Sequence, residues 1–282
     1  MGCTPSTDLP PSPHRHSHHL NLRSIPFLTS QLRLQACIGS GQYSEVKKAL
    51  TDSGDLVAVK CIPLDQMGKD LRRVSREVSI LMTTEHMHIV RYLGCYRDLE
   101  QFYMVMELCS GGNLRERIEE EGVLEEAWIR AKAREIVQAL AYLHARQIAH
   151  RDIKPENILF TASHQVKLAD FGLSRALTAP DHLTVVGTPY YLAPEMVSGV
   201  YTPLCDMWSL GVVLYYALVG KLPFQGSDFS DLYNQIRCFH IVNWGKCSEP
   251  AISFLKGLLV RTPRDRMSAK QALEHHWLSQ LC

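Results

Sequence analysis

From residue 32 the chain alternates apolar and polar positions: Leu32, Leu34, Ala36 and Ile38 interleave with Arg33, Gln35 and Cys37. A period of two predicts a half-buried strand, ended by the turn Gly39-Ser40-Gly41. Leu56 to Ile62 reads as a second strand. Leu71, Val74, Val78 and Leu81 then recur at helical spacing, with Arg72, Arg73 and Arg76 on the polar side. Ile89–Tyr92 and Phe102–Glu107 are strand-like, separated by a turn near Asp98. Beyond Gly111-Gly112 the period changes. Ile129, Ala133, Ile136, Val137, Leu140 and Leu143 mark a long amphipathic helix, followed by short strands at Ile158–Phe160 and Val166–Ala169. From Ser209 to about Trp277 the pattern is mostly helical. Strands come first and helices second, which predicts an α+β protein or two lobes.

Residues 1–31 have no periodicity. Prolines at 5, 10, 11, 13 and 26 mix with serines and with histidines at 14, 16, 18 and 19, and the segment reads as a mobile polar tail. The histidines could hold a transition metal, but no cysteine or carboxylate completes such a site. The remainder is ordinary for a globular protein, with 282 residues of which 46% are hydrophobic and 21% charged. With 30 basic and 29 acidic residues, no global field favours nucleic acid. The longest apolar run, Val212 to Val219, falls far short of the roughly 20 residues of a bilayer-spanning helix. Nine cysteines at irregular spacing and without a C-x-x-C pair indicate reduced thiols rather than a disulfide frame. The opening Met-Gly-Cys-Thr-Pro-Ser lacks the apolar stretch of a secretory signal.

Four segments carry candidate chemistry. The Gly-rich turn Gly39 to Val46 could bring backbone amides close to phosphate oxygens, although alone it could equally be an ordinary hairpin. Lys60 shares a strand face with Ala58 and Ile62, and a buried lysine needs an anion. Glu77 can supply one and a phosphate another. In His150-Arg151-Asp152-Ile153-Lys154-Pro155-Glu156-Asn157, Asp152 can accept or orient a hydroxyl proton. Lys154 can neutralise a transferring phosphoryl group, and Asn157 offers oxygen to a metal. Asp170-Phe171-Gly172 adds a carboxylate just after an apolar strand. Oxygen ligands of this kind, with substrate phosphate, suit Mg2+.

These segments, in this order, resemble the eukaryotic protein kinase family over Leu32 to Trp277: Gly39-x-Gly41-x-x-Ser44-x-Val46, Val57-Ala58-Val59-Lys60, Glu77, His150-Arg151-Asp152 with Asn157, Asp170-Phe171-Gly172 and Ala193-Pro194-Glu195. Asp206 to Gly211 and Arg266 match further family positions. The resemblance implies a bilobal fold with a β-rich lobe over 32–109 and a helical lobe over 110–280. ATP would lie between them against Ile38, Gly39, Gly41, Ser44, Val46, Ala58, Lys60, Met106, Glu107 and Cys109. It implies that Lys60, paired with Glu77, holds the α- and β-phosphates, and that Asn157 and Asp170 hold Mg2+. Asp152 would be the base, with Lys154 on the γ-phosphate. Lys154 together with Gly187-Thr188-Pro189 resembles the serine/threonine class, so protein substrates are implied. Three departures stand out. Ser44 replaces the third loop glycine. Asn113 and Tyr216 stand where cyclic-AMP-dependent kinase uses acidic residues to read basic substrates, leaving only Glu156. Tyr92 looks NIMA-related, whereas Ala272 to Trp277 looks like calmodulin-kinase relatives.

Control is also implied. Arg151 beside Asp152 is typical of kinases switched by loop phosphorylation, here at Thr184 by an upstream kinase, with Arg73, Arg151 and Arg175 around the phosphate. Separately, Gly2 and Ser6 fit the N-myristoylation pattern and Cys3 adjoins as a palmitoylation candidate, which would attach a cytoplasmic protein to a membrane surface. The alternative to catalysis is a pseudokinase that binds nucleotide or partners without turnover. Its hallmark would be loss of Lys60, Asp152 or Asp170, all of which are present.

Overall fold

Two strands that are apolar at nearly every position form the middle of the small lobe. They are β3 (Leu56–Pro63) and β5 (Gln101–Glu107), paired antiparallel with Lys60 opposite Met104 and Ala58 opposite Met106. The computed structural model describes residues 25–26, 32–41, 44–176, 189–198, 202–238, 241 and 243–279. Among these, β1 (Leu32–Gly41), β2 (Ser44–Thr51) and β4 (Tyr92–Arg97) complete a sheet in the order β1-β2-β3-β5-β4. Its outer face buries Ala49, Val57, Val59, Cys61, Tyr103 and Val105 in a small cluster. The other face joins the main core through Ile62, Phe102 and Met104, together with Val74, Val78 and Leu81 of α1 (Leu64–Met82). Ile25, only 6% exposed, belongs to the same core, and the Pro26 carbonyl accepts a hydrogen bond from the Arg97 N–H at 3.0 Å. One point of the tail is therefore fastened to the lobe.

Two sequence expectations change in detail. The first strand is not half-buried, since Leu34 and Ile38 are 38% and 50% exposed. It is an edge strand whose register slips twice, between Leu34 and Cys37 and between Cys37 and Gly39. Such bulges break the period-two facing of the side chains. Ile89 does not begin the fourth strand, which starts at Tyr92. Ile89 bridges instead to Leu168 of β8 (Val166–Leu168). The Val90 N–H donates to the Leu168 carbonyl at 3.0 Å, and the Leu168 N–H donates to the His88 carbonyl at 2.9 Å. The apolar pair Ile89-Val90 is thus buried between the lobes.

The large lobe is helical around α3 (Glu126–Ala145) and α4 (Leu204–Val219). The α3 stripe foreseen from periodicity is buried throughout. In α4 nearly every residue is buried, as expected of a helix apolar all round; it begins at Leu204, ahead of Ser209. Helix α2 (Leu114–Glu121) opens the lobe with a capping box between Asn113 and Glu116. Arg266 donates to both Glu195 oxygens at 2.6 and 2.9 Å, and to the carbonyls of Leu204 and Val260 at 2.8 Å each. The architecture is the expected α+β bilobal one.

Asp206, in the first turn of α4, is fully buried. It accepts hydrogen bonds from the backbone N–H groups of His150 and Arg151, both at 2.8 Å, and from His144 Nε2 at 2.9 Å. Burial pushes its carboxyl up, but the His144 hydrogen bond, nearby histidines and the Arg151 N–H outweigh burial and hold it below its ordinary value. Asp206→Ala would orphan two buried N–H groups at about 1–3 kcal/mol each, and should lower the urea midpoint accordingly. Because the folded pKa is lowered, this contribution is present above the unfolded value near ~4 and is lost as pH falls below it. The gap between wild type and variant should narrow as pH falls into stronger acid, as followed by urea titrations across pH.

Candidate active site

The segment 150–157 leaves α3 through β6 (Ile148–Ala149) and is pinned to Asp206 at its start. Arg151 there adopts a left-handed backbone, φ 68°, a conformation that strains a side-chain-bearing residue and persists only when its surroundings hold it. Its N–H is held by Asp206, and its Nε donates to the Leu173 carbonyl. Next to it, Asp152 Oδ2 accepts from Lys154 Nζ at 2.8 Å and from Asn157 Nδ2 at 2.9 Å. Asn157 Nδ2 also donates to the Asp152 carbonyl at 2.8 Å. A 3-10 turn over Pro155–Asn157 brings Asn157 back beneath Asp152.

The second segment is joined to the first through the backbone. The Ala169 N–H donates to the Asn157 carbonyl at 2.9 Å, and His150 Nε2 lies 3.0 Å from the Ala169 carbonyl. Burial holds His150 below the usual imidazole range. Since its Nδ1 accepts from the Asp152 N–H at 3.3 Å, the network assigns the ring proton to Nε2. Asp170 follows with φ 58°, a second left-handed position. Its Oδ1 accepts from Lys60 Nζ at 3.2 Å and from the Gly172 N–H at 3.3 Å.

Lys60 also donates to Glu77 Oε1 at 2.7 Å. Burial disfavours the lysine's charge, but the Glu77 and Asp170 carboxylates outweigh it and raise its pKa. Asp170 responds in the opposite sense. Burial would lift it, but the Lys60 ammonium, its hydrogen bond and the Gly172 N–H hold the carboxyl at about 2, with the side chain still 41% exposed. Lys60 and Asp170 are thus both ionised at neutral pH.

The glycine-rich turn runs from β1 to β2, with Gly41 opposite Ser44 and Gly39 opposite Val46. A Cβ on Gly39 would meet only Val46, at an ordinary 3.7 Å. Packing within the described residues therefore does not demand a glycine at 39, whereas close approach of a ligand to the backbone would. Gly111 differs, because a Cβ there would lie 2.4 Å from the Thr161 carbonyl oxygen. The connection between the lobes thus presses directly on the large lobe. Glu107, at the end of β5, has its carboxylate occupied by Lys167 Nζ at 2.6 Å and the Arg91 N–H at 2.7 Å. The Glu107 N–H is taken as well, by the Arg91 carbonyl at 3.0 Å. Burial and the Glu107 charge push the Cys109 thiol up to about 11.

The residues present fit a nucleotide with a hard dication. Asn157 Oδ1 and Asp170 Oδ2 accept no hydrogen bond among the described residues, and both are hard oxygen donors. No group of three or more His, Cys, Asp or Glu side chains suited to a metal exists among the described residues. Protein ligation would therefore be incomplete without substrate phosphate.

Of the candidate site residues, Lys60, Glu77 and Asp170 form one cluster and Asp152, Lys154 and Asn157 another, joined by the Ala169 N–H bond to the Asn157 carbonyl. Arg175, in β9 (Arg175–Ala176), pairs with Ala149, and Arg73 Nε donates to the Gly172 carbonyl at 2.9 Å. Thr184, Gly187, Thr188, Gly2, Cys3 and the tail histidines lie outside the described residues. Lys167 was not foreseen as a support of the inter-lobe strand. Its signal was a lysine inside the apolar run Val166–Leu168, the same signal that marked Lys60.

Residues 32–278 match the family described as the protein kinase domain. Calcium-dependent protein kinase 5 of Plasmodium berghei is 34% identical over 249 residues, covering 85% of this chain and 44% of the relative. Serine/threonine-protein kinase RAD53 of Saccharomyces cerevisiae is 36% identical over 263 residues, 86% of this chain and 32% of the relative. NUAK family SNF1-like kinase 2 of Homo sapiens is 37% identical over 276 residues, 94% of this chain and 42% of the relative. The chain spans less than half the length of these three. With the family match extending from the first strand of the sheet to the last helix, and the site assembled within that span, the chain belongs to the protein kinase family.

Proposed function

We propose that this chain transfers the γ-phosphate of ATP to serine or threonine hydroxyls of protein substrates, with Mg2+. The observation that carries the reading is the pair of polar clusters, Lys60–Glu77–Asp170 and Asp152–Lys154–Asn157, tied together by the Ala169 N–H bond to the Asn157 carbonyl. Nucleotide and metal would supply the phosphoryl group and neutralise its charge; the protein positions them and handles the proton. Lys60, held upright by Glu77, presents its ammonium to the α- and β-phosphates. Asn157 and Asp170 offer their free oxygens to the metal. In Asp152, Oδ2 is committed to Lys154 and Asn157, so Oδ1 is the atom left to take the substrate hydroxyl proton. Lys154, two residues on, neutralises charge on the transferring group.

The serine/threonine class is supported by Lys154 and by relatives named as such kinases. On the substrate side, Glu156 faces Arg115 at 3.9 Å, and Arg115 also donates to Glu119 at 2.6 Å. The last acidic residue of the basic-substrate set is therefore already neighboured by a cation, which argues against a strict preference for upstream arginine. A scaffold without turnover is the alternative. Against it stand Lys60, Asp152 and Asp170, each present and engaged.

Regulation belongs to the same reading. Phosphorylation of Thr184 by an upstream kinase would place about −1.5 to −2 charges near Arg151, Arg175 and Arg73. Two of these arginines already reach the start of that segment, at the carbonyls of Leu173 and Gly172. Myristoylation at Gly2 with acylation of Cys3 would place a cytoplasmic kinase at a membrane surface.

Asp152→Asn should reduce phosphorylation of a generic protein substrate by about 10²–10⁴-fold, with ATP affinity largely retained. Equal turnover by wild type and variant would reject the assignment. Thr184→Ala should lower activity strongly, whereas an active wild-type enzyme whose intact mass shows no phosphate would exclude this control. For the lipid anchor, Gly2→Ala should shift the protein from the membrane fraction to the supernatant, and an unchanged distribution would sink it.

A further inference from the structure

Arg73 lies on α1 one turn before Glu77, so the two side chains share a face of the helix. Glu77 reaches Lys60, Lys60 reaches Asp170, and Asp170 Oδ1 accepts from the Gly172 N–H. Arg73 Nε donates to the carbonyl of that same Gly172 at 2.9 Å. The contacts therefore close into a ring: helix α1, Glu77, Lys60, Asp170, Gly172, Arg73 and back to α1. The ring encloses the left-handed Asp170, whose strained backbone has to be held from both sides to persist. Its N-terminal side is held by the Ala169 contacts with Asn157 and His150. On its C-terminal side the Arg73–Gly172 bond does this. Glycine at 172 is part of the fit, since a Cβ there would come within 3.1 Å of Asp170 Oδ1 and 3.2 Å of Arg73 Nη2.

We propose that Arg73 is a positioning residue that, independently of any phosphate on the loop, clamps the Asp170-Phe171-Gly172 turn to helix α1 and so aims Asp170 for metal-bound nucleotide. The inference rests on the phosphotransfer reading and adds to it a role for Arg73 that precedes phosphorylation. A clamp of this kind makes the approach of Glu77 to Lys60 and the set of Asp170 one coupled movement, because neither end can shift without breaking a hydrogen bond made by a charged group.

The test uses the full chain carrying Thr184→Ala, which removes the proposed phosphate, and reads binding of the non-hydrolysable analogue β,γ-imido-ATP by calorimetry with and without Mg2+. The quantity of interest is the factor by which Mg2+ tightens binding. Adding Arg73→Ala should shrink that factor by about tenfold, the effect of losing one hydrogen bond from a charged donor. Metal-free affinity should change less than Mg2+-supported affinity, and the melting temperature should fall by only about a few degrees. Arg73→Lys, which keeps a charged donor, should restore most of the factor, a rescue that a packing role would not show. If Arg73→Ala is unstable, Arg73→Met keeps the apolar stem and is read in the same way. An unchanged Mg2+ factor in the Arg73 variants overturns the positioning role, as does an effect seen only when Thr184 is intact and phosphorylated. If Mg2+ fails to tighten binding even with Arg73 present, the phosphotransfer reading itself fails.

Discussion

The carboxylate of Asp206 is shut off from bulk solvent, and the site depends on how that cost is met. Buried at the start of α4, it would be strongly unfavourable without partners. Two backbone N–H groups and one histidine supply them, and those N–H groups belong to His150 and Arg151. Solvating Asp206 therefore obliges the chain to turn at that point. The turn in turn places Asp152, Lys154 and Asn157 in register with each other. A hydrophobic residue at 206 could fill the volume but could not hold the loop.

From this anchor the constraint passes through hydrogen bonds to backbone groups of the Asp170 segment. Ala169 ties the Asp170 segment to Asn157 and His150, Leu168 ties it to His88, and Leu173 ties it to Arg151. Two residues on this path, Arg151 and Asp170, have left-handed backbones that cost on the order of 1–3 kcal/mol each. Each is flanked by polar contacts on both sides. Two of the four left-handed non-glycine residues among those described thus border the site, the others being Gln147 and His164.

Electrostatics divides the site into two halves. On the small-lobe side, Lys60 stands between Glu77 and Asp170, and the mutual attraction keeps Lys60 charged despite burial and holds Asp170 ionised. On the large-lobe side, Asp152 shares one oxygen with Lys154 and Asn157 and keeps the other open. The Asp170 turn links the two halves, and Arg73 ties that turn to α1. The Glu107 carboxylate stabilises the inter-lobe strand through Lys167 and the Arg91 N–H.

The amphipathic stripes of α1 and α3, the apolar strands β3 and β5, and the chemistry-bearing segments around Lys60, Asp152 and Asp170 were all legible in the sequence, because periodicity and charged residues in apolar surroundings are local signals. The partnership of Lys60 with Glu77 was legible too, since a buried cation requires an anion. Other features depended on which segments meet in space. Ile89-Val90 looked like the start of a strand but pairs with Leu168 across the lobes. Leu34 and Ile38 alternate as a half-buried strand would, yet bulges and an edge position leave them exposed. Nothing local announces that Asp206 would accept from the backbone of His150, or that Arg73 would close on Gly172. Those contacts join residues 55 to 99 positions apart, and only the packing of the helices against the sheet decides which distant donors and acceptors come within hydrogen-bonding distance.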